Sequence, residues 1–329
     1  MKSISRRLML LALAMIWPVA PAVAQPAQSS DWPNQTIRII VPLPPGGAYD
    51  FVARLMADRL RPVFNVPIIV ENKPGAGARI GTEYVARSPA DGYTFLMIAS
   101  THLIAPSMVR NLPYDAIRDF EPISVIAETP IVLAVGENVP AQSASELISL
   151  ARARPNFISY GSTGIGSPFH LAGELLKSMA KIDIVHVPYK GTAPLSIGLL
   201  NGEVQMAFVP IAPYLGHFAT GKLRALAVGG QTRSSQLPNV PRLAEAANLP
   251  GFGLDAWIGM VARAGTPKAV IERMNAEIIK IVQNPHVRSL LIDQGYEPVG
   301  STPAQMAKVM EDGLSLYARI VKDANITPY

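Results

Sequence analysis

The residues best suited to chemistry lie in four short segments, each placed where an apolar run gives way to an amphipathic one. The first is Val41-Pro42-Leu43-Pro44-Pro45-Gly46-Gly47-Ala48-Tyr49-Asp50. Its prolines stop a strand. Its glycines allow positive φ and close backbone approach to a ligand. The helix that follows presents unpaired N–H groups and a partial positive charge, which suits a carboxylate or phosphate. Asp50 fits the N-cap position, a role that can equally be structural and nothing more. The second segment is Gly161-Ser162-Thr163-Gly164-Ile165-Gly166-Ser167-Pro168, with Pro168 in the first helical turn and Ser167 as cap. Taken alone it also reads as a tight strand-to-helix turn. The third, Val187-Pro188-Tyr189-Lys190-Gly191-Thr192-Ala193-Pro194, has Thr192 as cap, and the fourth is the polar loop Ser100-Thr101-His102. Four such loops at the carboxyl ends of strands are the arrangement for a ligand in a cleft.

Catalytic patterns are scarce. The glycine spacing G-x-x-G-x-G differs from a dinucleotide fingerprint, and Lys190-Gly191-Thr192 reverses the P-loop order. There is no cysteine, no H-E-x-x-H and no G-x-S-x-G elbow. The histidines are scattered: His186 reads as a satisfied core residue, while His170, one turn inside a helix, faces either the cleft or the core. Metal-ligand spacing is missing and no cofactor is expected. The one nucleophile arrangement to weigh is Ser162, Ser167 and His170, which would make an exported α/β hydrolase without an orienting acid.

The elements that must position these loops alternate. Strands are expected at Ile37–Val41, Val66–Val70, Thr94–Ile98, Ile131–Val135, Phe157–Tyr160, Ile184–Val187, Val204–Val209 and Leu223–Val228. Most are continuous apolar runs, as for strands covered on both faces. Helices are expected at Asp50–Arg61, Ser145–Ala153, Pro168–Ala180, Pro194–Leu200, Lys268–Val282 and Pro303–Lys322. This alternation predicts α/β architecture with parallel sheets. Two extended stretches, Ile123–Val135 and Leu254–Val261, read as crossings between domains. They divide the chain into a discontinuous domain of residues 31–127 plus 253–329 and an inserted domain of residues 128–252, with a hinge and a cleft between them.

The 329 residues are 49% hydrophobic and 16% charged, which excludes a disordered chain. Residues 1–24 read as an export signal. Lys2, Arg6 and Arg7 precede the apolar Leu8–Ile16, and Ala22-Val23-Ala24 forms an A-x-A site with cleavage after Ala24. The Arg6-Arg7 pair leaves general and twin-arginine export both open. Removing the three basic residues of the signal from the 29 Lys and Arg leaves 26, against 24 Asp and Glu. No dense basic run remains, so nucleic acid is not an expected partner. A periplasmic monomer is expected.

Pro44-Pro45-Gly46-Gly47-x-x-Asp50-x-x-Ala53-Arg54, Glu71-Asn72-Lys73-Pro74-Gly75-Ala76-Gly77 and Ser88-Pro89-Ala90-Asp91-Gly92-Tyr93-Thr94 resemble the Bug family. These are the solute receptors of tripartite tricarboxylate transporters. Tyr160-Gly161-Ser162-x-Gly164-x-Gly166-Ser167-x-x-His170-Leu171, Val187-Pro188-Tyr189-Lys190-Gly191 and Ala264-Gly265-Thr266-Pro267 extend the resemblance from about Pro33 to the last helix. It implies a type II periplasmic binding fold of two domains, shaped like a Venus flytrap and joined by two hinge strands. It also implies a small carboxylate held by backbone amides and water, and delivery to membrane permease subunits. By position it assigns ligand binding to Gly46, Gly47, Ala48, Tyr49, Asp50, Ser100, Thr101, Ser162, Thr163, Gly164, Ser167, Tyr189 and Thr192. His170 joins them as the cleft-facing histidine. Ala48 and Tyr49 would tune ligand choice. Leu43 departs from a frequent aromatic, and Arg79 either grips a distal carboxylate or is a solvated surface residue. A dicarboxylate, an aromatic acid and an amino acid all remain open as ligand, and so does a sensing role in place of transport.

Overall fold

The computed structural model describes residues 32–328, so the expected export signal lies outside the described residues. The first four strands of the six-stranded sheet and their helices run β1 (Ile37–Val41), α1 (Ala48–Phe64), β2 (Ile68–Asn72), α2 (Arg79–Ala86), β3 (Thr94–Ala99), α3 (Ser100–Met108) and β4 (Phe120–Thr129). β1 reads IRIIV, and its four apolar side chains are fully buried because helices cover both faces. α1 places Val52, Met56 and Leu60 in one row against that sheet, with Ala53 beside them. Its C-cap, Asn65, takes the left-handed conformation that ends a helix.

After Pro130 the chain enters a second, five-stranded sheet. Its elements are β5 (Ile131–Gly136), α4 (Ala144–Ala153), β6 (Ser159–Ser162), α5 (Pro168–Ala180), β7 (Val185–Pro188), α6 (Thr192–Leu200), β8 (Met206–Pro210), α7 (Leu215–Ala219), β9 (Leu223–Val228) and α8 (Leu243–Ala246). The chain then returns to the first sheet with β10 (Ala256–Arg263), α9 (Lys268–Gln283), α10 (Pro285–Asp293), β11 (Glu297–Pro298) and α11 (Pro303–Asp323). The strand orders are β11-β4-β10-β3-β1-β2 and β7-β6-β8-β5-β9. The molecule is thus an α/β protein with two lobes, one built on each sheet.

The expectation of parallel sheets is corrected at three strands, of which β11 pairs antiparallel with β4 at the sheet edge. β10 lies antiparallel between β3 and β4, and β5 lies antiparallel between β8 and β9. A parallel neighbour needs a helical crossover within its own sheet. β5 and β10 instead arrive from the other lobe, and each enters against the direction of its neighbours. Pairing also moves some ends. β2 starts at Ile68 because Ile68 stands opposite Ile37, and β6 starts at Ser159, opposite Val185.

The crossings meet in a small hydrogen-bonded junction. Gly229 N–H donates to the Ile131 carbonyl at 2.8 Å, and Leu254 N–H donates to the Gly229 carbonyl at 3.0 Å. α11 spans it, packing on α3 and β4 of one lobe and on α5 of the other. A capping box of Thr302 and Gln305 secures its start. One apolar cluster runs through the junction, from Leu96 and Val125 through Ile131 and Leu133 to Leu171.

α5 packs on its sheet through Leu171, Ala172, Leu175 and Leu176, with Gly173 pressed against the ring of Tyr160. A side chain at 173 would occupy the volume of that ring. Gly173→Val is expected to lower stability by about 1–3 kcal/mol through overpacking, read as a lower urea midpoint. An unchanged midpoint would show that the ring is free to move aside.

Candidate functional site

Four helices begin at the carboxyl ends of strands and line one cavity of about 350 Å³. α1 contributes Ala48 and Tyr49, the β3–α3 junction contributes Ala99, Ser100 and Thr101, α5 contributes Pro168 and Phe169, and α6 contributes Thr192. The first two belong to the lobe of the six-stranded sheet and the last two to the other. The rest of the wall comes from Thr129 at the end of β4, from Pro210, Ala212 and Pro213 after β8, and from Ala256, Trp257 and Ile258 of β10. Gln294, Gly295 and Tyr296, before β11, complete it. The cavity therefore lies between the lobes, beside the junction.

The helix starts differ in how their first N–H groups are met. Ser167 Oγ accepts from His170 N–H at the start of α5, as expected. The N-caps of α1, α3 and α6 are Gly47, Ala99 and Gly191, and none provides a side-chain cap. Two expected caps are thereby corrected. Thr192 is the first residue of α6, and Asp50 lies in the first turn of α1. The expected loop Ser100-Thr101-His102 is also corrected, because α3 begins at Ser100 with no loop before it.

Asp50 works on the loop before α1. Its carboxylate accepts from Gly46 N–H at 3.0 Å, from Arg54 Nε and Nη2 at 2.9 and 3.0 Å, and from Asn72 Nδ2 at 3.0 Å. Asn72 Nδ2 also reaches the Leu43 carbonyl at 3.1 Å. The Arg54 guanidinium, aided by the Gly46 and Asn72 hydrogen bonds, holds the Asp50 carboxyl down at about 2 despite its burial. This charge-assisted cluster ties the Gly-Gly loop to β2 and presents the start of α1 to the cavity.

Around the cavity, Tyr49 Oη and Thr101 Oγ1 lie 2.7 Å apart, joining the starts of α1 and α3. Desolvation pushes the Tyr49 phenol up to about 12. Ser100 Oγ accepts from Trp257 N–H at 3.2 Å and so fixes β10 to the start of α3.

Of the residues expected to bind ligand, Ala48, Tyr49, Ser100, Thr101 and Thr192 line this cavity. Gly46, Gly47, Asp50, Ser162, Thr163, Gly164, Ser167, His170 and Tyr189 do not. Ser162 is fully buried and lies 2.7 Å from His186 Nε2. The rings of His170 and His186 stack 4.1 Å apart, and His170 Nδ1 accepts from Gly166 N–H. Burial pushes His186 down to about 3, with His170 and Lys177 adding to the effect. Tyr189 packs against Gly198 and sends its hydroxyl to Glu203. His102 is likewise buried, lies 2.9 Å from the Ala116 carbonyl, and is pushed down to about 4. These groups support the loop backbones from behind. The expected hydrolase trio of Ser162, Ser167 and His170 is not assembled: Ser162 is fully buried and meets His186 instead of His170, Ser167 Oγ caps α5, and His170 Nδ1 is engaged by Gly166 N–H. Arg79 is half-buried, and its Nε donates to the Ala76 carbonyl.

Sequence reasoning missed the rest of the wall. Pro168 and Phe169 follow the expected cap Ser167 directly, so the helix-start signal extended one step further would have found them. Trp257 and Tyr296 come from β10 and from a turn near the chain end, where no local pattern marks a ligand.

Beneath the cavity floor, buried acids cluster at the junction. Burial and then the neighbouring Glu128 push the Asp255 carboxyl up to about 7, and its Oδ1 has no hydrogen-bond partner. Burial and then Glu297 raise Glu128. Glu297 itself accepts from Ser235 N–H and Oγ, at 2.9 and 2.6 Å, across the lobes.

A two-lobed α/β body with helix starts facing an interlobe cavity is the architecture of a solute-binding receptor, not of an enzyme. A profile of TctC, the Tripartite tricarboxylate transporter family receptor, matches residues 52–326, and the chain belongs to that family. It is 34% identical over 316 residues to Protein BugT of Bordetella pertussis (strain Tohama I), covering 95% of this chain and 97% of that one. Among solved structures it is similar to R. palustris Rpa4515 with adipate, at 34% identity and a TM-score of 0.76, covering 91% and 100% of the two chains. It is also similar to MatC (Rpa3494) from Rhodopseudomonas palustris with bound malate, at 29% identity and a TM-score of 0.71, covering 88% and 100%.

Two outcomes follow from the charges. Asp50→Asn is expected to cost about 1–3 kcal/mol at neutral pH by breaking a buried charged hydrogen-bond set. The Asp50 contribution is present above the ordinary carboxylate range and is lost as pH falls from about 4 to about 2. Urea unfolding of both proteins at pH 7 tests the first part, and an equal midpoint contradicts it. Asp255 has the opposite sign. Its raised pKa contributes stability that is full below about pH 4 and is lost as pH rises through about 7. Asp255→Asn should therefore gain on the wild type between pH 4 and 7 and hold that gain above. A difference independent of pH over that window contradicts the assignment.

Proposed function

We propose that this protein is a periplasmic receptor that captures a small carboxylate between its two lobes and delivers it to the membrane permease subunits of a tripartite tricarboxylate transporter. The observation that carries this reading is the convergence of helix starts from both lobes on one cavity, three of them without side-chain caps. Such starts offer bare N–H donors and the positive ends of helix dipoles. A carboxylate satisfies both at once. The adipate and malate of the two similar solved proteins favour the same ligand chemistry.

In this reading the ligand carboxylate rests on the starts of α1 and α3, at Ala48, Tyr49, Ser100 and Thr101, and is enclosed from the other lobe at α6. The loops carrying Gly46 and Gly47 and carrying Thr163 and Gly164 lead into α1 and α5 and set those two helix starts in place. The lobes are two domains, residues 31–127 with 253–329 and residues 128–252, that close about the junction. Export through the leader, with cleavage after Ala24, and work as a monomer complete the reading. Among the described residues no helix is long and apolar enough to cross a membrane.

Calorimetry and thermal melting of refolded, ligand-stripped protein with mono- and dicarboxylates test this function. A carboxylate at a hundredfold excess over its Kd should add about 2.7 kcal/mol of stability. Thr101→Tyr, which fills the cavity from an exposed position, should weaken binding at least tenfold in a protein that still unfolds in one cooperative unliganded melt. If no carboxylate stabilises the protein, the proposal falls.

A further inference from the structure

On one flank of the cavity, the segment from the end of α10 to β11 is fastened to the opposite lobe. Oε1 of the Glu297 carboxylate accepts from Ser235 N–H at 2.9 Å, from Ser235 Oγ at 2.6 Å and from Ser234 Oγ at 3.3 Å. The serines lie between β9 and α8, in the lobe of the five-stranded sheet, and Glu297 lies in β11 of the other. They form a turn built around that oxygen. Ser234 Oγ also accepts from Gln236 N–H at 3.2 Å, and Leu237 N–H donates to the Ser234 carbonyl at 3.3 Å. Gln236 Nε2 then donates to the Ile292 carbonyl at 2.7 Å, a further bond between the lobes. Between Ile292 and Glu297 in the chain, Gly295 rests so close to Ala212 that a side chain at 295 would overlap it.

The bonds to Glu297 are charge-assisted when the carboxylate is ionised, and Ser234 is buried at their centre. Glu297 also stands opposite Glu128 in the β11–β4 pairing. Acids directly opposite one another destabilise a strand pair. Among the described residues, the donors that offset this at Glu297 come from the other lobe. Parting the lobes would trade these oriented donors for water and leave Glu128 beside the charge, so the contact favours the joined arrangement. Glu297, Ser234 and Ser235 do not line the cavity, whereas Gln294, Gly295 and Tyr296, just before Glu297, do. Fastening and cavity wall are therefore one continuous segment.

We infer that Glu297 is a positioning residue for lobe closure: with Ser234 and Ser235 it forms a clasp that holds the α10–β11 segment, and that side of the cavity wall, against the other lobe. Its effect on ligand retention rests on the receptor reading above, while its effect on lobe geometry does not. Small-angle X-ray scattering of the ligand-stripped protein and stopped-flow release of bound adipate test it. Glu297→Ala should give a larger radius of gyration than the wild type and speed adipate release at least about fivefold. The double variant Ser234→Ala, Ser235→Ala should shift both readouts in the same direction. Combining it with Glu297→Ala should add little, because both remove the same bonds. Glu297→Gln keeps an acceptor oxygen for the serines and should restore most of the wild-type radius and rate. A folded Glu297→Ala protein with wild-type scattering would overturn the inference, even with a lowered melting temperature, and so would fully additive effects. The scattering decides the clasp even where no acid binds, so failure of the clasp and failure of the receptor reading are told apart.

Discussion

An α-helix leaves its first-turn N–H groups without partners inside the helix, and whatever meets them decides what the helix start can do. Here α4, α5, α10 and α11 meet theirs with Ser143, Ser167, Asn284 and Thr302. α1, α3 and α6 begin instead on Gly47, Ala99 and Gly191, which have nothing to offer, and all three line the same cavity. Much of the surrounding structure keeps those starts in place. Asp50 turns its charge away to Arg54, Asn72 and Gly46, so the loop before α1 is held by a side chain that does not compete for the ligand. The buried Ser162 and His186 perform a similar service for the glycine-rich loop before α5.

The junction between the lobes adds a second constraint. Three extended segments meet there through backbone hydrogen bonds, and α11 lies across both lobes. The acids Asp255, Glu128 and Glu297 sit together at that point, and Ser235 reaches Glu297 from the opposite lobe. Burial with Glu128 beside it makes the Asp255 carboxyl resist ionisation, and burial with Glu297 beside it raises Glu128 in the same direction. The cavity floor shares this ground, since Thr129 and Ala256 border both.

Much of the architecture was legible because it is local. The run IRIIV, the apolar row of α1, and the Ser167-Pro168 start of α5 each state their structure within a few residues. The motif resemblance extended that legibility to family and fold. The antiparallel β5 and β10 were not legible. Strand direction within a sheet depends on where the chain arrives from, and a buried apolar run looks the same in either direction. Asp50 and Thr192 were misassigned as caps for a similar reason. Both are good cap residues within one turn of a helix start, and the turn itself was set by Gly47 and Gly191.

The sequence by itself determined that helix starts rich in glycine and hydroxyls would follow buried strands, because turn chemistry and apolar periodicity act over short range. Only the tertiary structure decided which of those starts share a cavity. It set Tyr49 beside Thr101, turned Tyr189 and His170 away from the cavity wall, and brought Trp257 and Tyr296 from distant parts of the chain to that wall. The physical reason is that a cavity wall is a product of packing. Residues far apart in sequence become neighbours only when sheets, junction and covering helices have all found their places.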